Sequence, residues 1–114
     1  MKTEDILQAA CVQWFRTTFP HLAPCLFSVP NGGKRNQVEQ ARMITTGLTP
    51  GVPDLLLIVQ GRALGIEMKT ATGTRSTAQK NLHRIWEQAG NRVEVVRDLE
   101  TFKKIVLEYL EYLA

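Results

Sequence analysis

The stretch "PGVPDLLLIVQGRALGIEMKT", Pro50 to Thr70, constrains the fold more than any other part of the chain. Leu55 to Val59 is a continuous apolar, β-rich run, Gln60-Gly61 has the composition of a tight turn, and Ala63 to Thr70 supplies a second arm. The predicted element is a hairpin whose first arm is buried on both faces. Three charges disturb it. Asp54 opens the first arm, and Glu67 and Lys69 interrupt the second. Charged groups among buried strands are costly unless they are paired or bind a metal. Side chains alternate along a strand, so Leu64, Ile66 and Met68 share one face while Glu67 and Lys69 share the other. An antiparallel pair closed at Gln60-Gly61 sets residue 54 roughly opposite residues 67 to 69.

Two carboxylates and one ammonium gathered in this way suit metal-phosphate chemistry. Asp54 and Glu67 offer hard oxygen ligands for Mg²⁺ or Mn²⁺, the backbone carbonyl of Met68 could complete the shell, and Lys69 could orient or deprotonate a water. A plainer reading stands beside it: Asp54 after Pro53 as a turn residue, and Glu67 with Lys69 as an exposed pair on an edge strand. Gly51, Pro53 and Gly65 leave room for close backbone approach.

The rest of the chain frames the hairpin. Thr3 reads as the cap of a first helix with Glu4 and Asp5 in its opening turn; Leu7, Ala10, Cys11 and Trp14 recur at helical spacing until Phe19-Pro20. "CLFSVP" is a short β-leaning run closed by Pro30 and Asn31-Gly32-Gly33. A second helix is predicted from about residue 36 to 46 with Gly47 as its stop, and a third from Ser76 to about Ala89, stopped by Gly90. "RVEVVR" is a strand, and Asp98 caps a final helix lined by Leu99, Phe102, Val106, Leu110 and Leu113. The order α-β-α-β-β-α-β-α predicts an α/β architecture, a mixed β-sheet flanked by α-helices. The 114 residues fit one domain, 1–114.

No apolar run is long enough to cross a bilayer, and the N-terminal residues lack a secretory h-region, so the expected location is cytoplasmic, without membrane association. Cys11 and Cys25 form no CxxC and stand at no zinc-like spacing from His21 or His83, which favours reduced thiols over structural zinc. His83 itself reads as a surface or packing histidine. The net charge of +3 is mild, but Lys34, Arg35, Arg42, Arg62, Lys69, Arg75, Lys80, Arg84 and Arg92 concentrate in the middle of the chain. Such a stretch could follow a phosphate backbone or form a solvated surface. Ser76 to Gln79 has the pattern of a capping box. Trp14 and Trp86 lie on apolar helical faces, consistent with core packing. The apolar tail "IVLEYLEYLA" could pack on the sheet or offer Tyr109 and Tyr112 as anchors of a dimer.

"PGVPD" followed, after twelve intervening residues, by "GIEMK" resembles the PD-(D/E)xK nuclease motif. With "NGGKR" upstream and "TGTRSTAQ" downstream, the chain resembles the VRR-NUC group, the virus-type replication-repair nucleases, over nearly its whole length. The resemblance implies a restriction-endonuclease-like core and Mg²⁺- or Mn²⁺-dependent hydrolysis of DNA phosphodiesters, leaving a 5′-phosphate and a 3′-hydroxyl. It implies Asp54 and Glu67 as metal ligands, Lys69 as catalytic lysine and Gln79 as the glutamine positioning phosphate or water. Glu4 takes the acidic position of the first helix, a further metal or water contact in relatives. Stand-alone phage and bacterial members resemble Holliday-junction resolvases, which implies branched DNA, a homodimer, and a bacterial or phage-infected host cytoplasm, with roles in repair and recombination and no small-molecule cofactor. Lys34, Arg35, Arg75, Lys80 and Arg84 are the expected DNA contacts. The competing expectations are a non-catalytic module that binds branched DNA and an accessory protein of replication or recombination.

Overall fold

A computed structural model describes residues 2–30 and 35–113. The elements follow the predicted order: helix α1 (Thr3–Thr18), a 3-10 segment (Pro20–Cys25), β1 (Leu26–Ser28), α2 (Gln37–Thr45), β2 (Leu55–Val59), β3 (Arg62–Met68), α3 (Thr77–Gln88), β4 (Arg92–Val96) and α4 (Leu99–Leu113). The four strands form one mixed sheet in the order β1-β2-β3-β4; β1, β2 and β3 pair antiparallel, and β4 joins β3 in parallel. The parallel pair needs a crossover, and α3 supplies it.

Local chemistry sets the boundaries. Gln60 and Gly61 both adopt positive φ, 53° and 75°, a type I′ turn whose twist matches the flanking strands. It fixes the register Val59↔Arg62 through Leu55↔Ile66. α2 starts at Asn36, whose side chain accepts from the Glu39 amide at 2.8 Å. It ends in a Schellman motif: Leu48 N–H donates to Met43 O, Gly47 N–H to Ile44 O, and Gly47 takes φ 116°. Gly90 closes α3 by the same pair of bonds, to Glu87 and Trp86. Asp98 caps α4 through the Thr101 amide at 2.7 Å. At α1 the expectation is corrected: Lys2 occupies the N-cap position without a side-chain bond, and Thr3 is the first helical residue.

The core lies between one sheet face and the pair α1 and α4. Cys11 and Phe15, then Phe102, Ile105, Val106 and Tyr109, pack on Leu26, Leu55, Leu57, Leu64, Ile66, Met68 and Val96. Trp14 joins as a packing residue, edge-on to Phe19 and Phe102 with centroids 5.9 and 6.0 Å apart. Two expectations change here. The first arm of the hairpin is not buried on both faces: Leu55 and Leu57 are enclosed while Ile58 is 45% exposed, because the helices cover β2 from one side. Tyr109 belongs to the core at 4% exposure and is no surface anchor, whereas Tyr112 is 74% exposed. Cys11 and Cys25 are free thiols, and burial pushes Cys11 up to about 12. Among the described residues no helix is long and apolar enough to cross a membrane.

Candidate active site

The hairpin register that pairs Leu55 with Ile66 carries on to set Asp54 across from Glu67. Asp54 caps this corner of the sheet. Its Oδ2 accepts the Met68 amide at 2.7 Å, and its carbonyl accepts the Val29 amide at 2.9 Å. Two glycines let the chain close around it. A Cβ on Gly65 would stand 2.8 Å from Pro53 Cγ, so only a bare backbone lets Pro53 sit against β3 next to Asp54. A Cβ on Gly51, which takes φ 93°, would stand 2.5 Å from Ala78 O. The loop before Asp54 is thereby pressed onto the first turn of α3, which carries Gln79.

Glu67 is 3% exposed, and its Oε1 has no hydrogen-bond partner. Burial first, then a hydrogen bond to and the charge of Asp54, push its carboxyl from the ordinary 4.5 up to about 8; Lys69 opposes the rise and Glu4 adds to it. Without a cation Glu67 keeps its proton through neutral pH. Lys69 is half-buried, its amide bonded to Val96 O at 3.0 Å. The donor set of two adjacent carboxylates, one buried, fits a hard dication that takes its remaining ligands from water and phosphate. Among the described residues no three Asp, Glu, His or Cys side chains converge at metal-binding spacing. Glu4 is therefore within electrostatic reach of Glu67 but not gathered with the other two into a three-carboxylate cluster.

The capping box at α3 forms. Ser76 Oγ accepts from Gln79 N at 3.1 Å, and Gln79 Oε1 accepts from Ser76 N at 2.8 Å. That engages the Gln79 carbonyl oxygen and leaves its amide nitrogen as the donor for another group. Lys80 and Arg84 are exposed one turn apart on α3, and Arg35 is half-buried; Lys34 lies outside the described residues. Arg75 is half-buried and turns inward, with one guanidinium nitrogen 3.2 Å from His83 Nδ1.

His83 is the residue that sequence reasoning missed. It is fully buried, not on the surface, and its Nε2 stands 3.6 Å from Glu67 Oε1. Burial and the Arg75 charge hold its pKa below the usual range, against the nearby Gly51 backbone and the Glu87 carboxylate. The available signal was spacing: His83 follows Gln79 by four residues and so shares its helical face. A groove of about 680 Å³ beside α1 and β1, lined by Gln8, Val12, Arg16 and Phe27 among others, contains none of these side chains. The charged corner, not that groove, is where chemistry is concentrated.

A solved structure described as a VRR_NUC domain protein superposes on the chain with a TM-score of 0.82 at 20% identity, covering 97% of this chain and 90% of the other. The chain has the fold of a VRR-NUC domain. The expectation of a restriction-endonuclease-like mixed sheet flanked by helices is thus met by the overall architecture. No family model and no curated protein matches the sequence.

Proposed function

We propose that residues 1–114 form a single VRR-NUC-like nuclease domain, a Mg²⁺- or Mn²⁺-dependent endodeoxyribonuclease acting on branched DNA such as Holliday junctions or flaps. The observation that carries this reading is the corner where Asp54 faces Glu67, a buried carboxyl held at about 8 beside its neighbour, with Lys69 two residues on. Asp54, Glu67 and the carbonyl of Met68 would hold the cation. When bound, such a cation polarises a phosphoryl oxygen and lowers the pKa of a water ligand. Lys69 orients the attacking water and offsets charge building on phosphorus. Gln79 donates its amide N–H to a non-bridging oxygen of the scissile phosphate. Arg35, Lys80 and Arg84 contact flanking phosphates, which positions the DNA without reading its sequence. Hydrolysis leaves a 5′-phosphate and a 3′-hydroxyl. A homodimer, with the exposed Tyr112 and Leu107 of α4 available to an interface, would present two such sites to one junction.

The test is a panel of end-labelled four-way junction, flap and linear duplex substrates in Mg²⁺, Mn²⁺ or EDTA, run beside light scattering. The expected result is metal-dependent cutting of a branched substrate by a dimer. Salt-sensitive binding of junctions with no turnover in any metal would instead establish a non-catalytic DNA-binding module.

A further inference from the structure

His83 and Arg75 have no part in the chemistry assigned above, yet their geometry is specific. Arginine only donates hydrogen bonds, so a guanidinium nitrogen 3.2 Å from His83 Nδ1 requires that nitrogen to accept. The neutral ring then carries its proton on Nε2, with the Gly51 backbone beside the ring as the competing acceptor. His83 Nε2 and Glu67 Oε1 are both buried, both without a hydrogen-bond partner, and face each other at 3.6 Å. A donor and an acceptor, each otherwise unsatisfied, are brought to within a few tenths of an ångström of bonding distance.

Arg75 is itself held from both sides. Arg97 donates to Thr70 O at 2.5 Å and to Gly73 O at 2.7 Å, stapling the loop after Lys69 to the end of β4. On the other side Ser76 begins the capping box of α3. Between a stapled loop and a capped helix, the guanidinium is presented to the ring by fixed backbone.

We propose that Arg75 and His83 are positioning residues of the site: Arg75 locks His83 as the Nε2–H tautomer, and His83 aims that proton at Glu67, fixing the orientation of its carboxylate. The role in metal binding rests on the function proposed above; the tautomer does not. Arg75 thereby acts inward on Glu67 through His83, apart from the phosphate contact expected of it. Groups that orient a metal ligand in this way commonly account for about 10- to 100-fold in affinity.

Two measurements on residues 1–114 separate the tautomer from the metal-positioning role. Long-range ¹H–¹⁵N spectra of the metal-free protein report the imidazole tautomer directly. The expected spectrum has His83 protonated at Nε2, shifting to a mixture in Arg75→Ala and returning in Arg75→Lys. An Nδ1-protonated ring in the wild type would overturn the proposal, whatever the protein does with metal. Calorimetric titration with Mn²⁺ then compares His83→Gln, whose amide nitrogen replaces Nε2–H, with His83→Asn, whose shorter amide cannot reach. The expectation is affinity within about threefold of wild type for the first and about 10- to 100-fold lower for the second. Equal affinities in wild type and both variants would refute the positioning role. Absence of Mn²⁺ binding by the wild type would refute the metal reading, with the tautomer left to decide the Arg75–His83 lock.

Discussion

Replacing Glu67 by Gln should stabilise the metal-free protein at high pH. The raised carboxyl retains its proton in the folded state from its ordinary 4.5 up to about 8, whereas the unfolded chain has already released it. Over that window the folded state binds more protons, so stability falls as pH rises, by about 1.4 kcal/mol per pH unit. The loss is complete above pH 8 and amounts to about 3–5 kcal/mol, a large share of what holds a small domain folded. Glutamine keeps the shape and removes the ionisation. His83, held neutral, works with the opposite sign: its contribution is present above its ordinary 6.5 and lost as pH falls below it. Because the two side chains face each other, the comparison is read at pH 7 and 9, above the range where His83 contributes. The assay is urea denaturation in EDTA at these two values. Glu67→Gln should be more stable than the wild type by about 3–5 kcal/mol at pH 9. A difference that stays constant across this range, or a variant less stable at pH 9, would show that burial does not raise the Glu67 carboxyl.

The same proton predicts that Mn²⁺ affinity rises about tenfold per pH unit below pH 8 and then levels, with one proton released on binding; buffers of different ionisation enthalpy in calorimetry would reveal it. Gly65→Ala should destabilise the fold by about 1–3 kcal/mol, since its Cβ would meet Pro53 at 2.8 Å, and should weaken metal binding by shifting Asp54. Gly51→Ala should be worse, because it adds a positive φ to a clash with backbone; thermal melts of both variants test the order. Arg97→Ala should speed amide exchange at residues 70–75 while leaving the β2–β3 hairpin protected.

The hairpin was legible because its determinants are local. Gln60-Gly61 sets the turn, alternation sets the faces, and together they place Asp54 across from Glu67. Glycine stops at Gly47 and Gly90 were legible for the same reason. Features that could not be read from the sequence depend on non-local packing. Whether the first arm is covered on one face or two depends on where the helices dock, so Ile58 was misplaced. The 3-10 segment was hidden because Pro20 reads as a helix stop and carries no local signal for another helical turn immediately after it. Tyr109 and Tyr112 look alike in "LEYLEYLA", yet three residues along a helix turn one to the core and one to solvent. His83 has no ligand spacing in the chain; its meaning appears only when α3 is laid against the sheet and buries the ring beside Glu67.

The proposed hydrolysis of DNA phosphodiesters by Asp54, Glu67 and Lys69 with a divalent cation is tested most directly by single-turnover cleavage of a four-way junction in Mn²⁺, with junction binding measured in parallel. Asp54→Asn and Lys69→Ala should bind the junction within a few-fold of wild type and cut it at least about 10²-fold more slowly. Cleavage by either variant at the wild-type rate would contradict these catalytic roles.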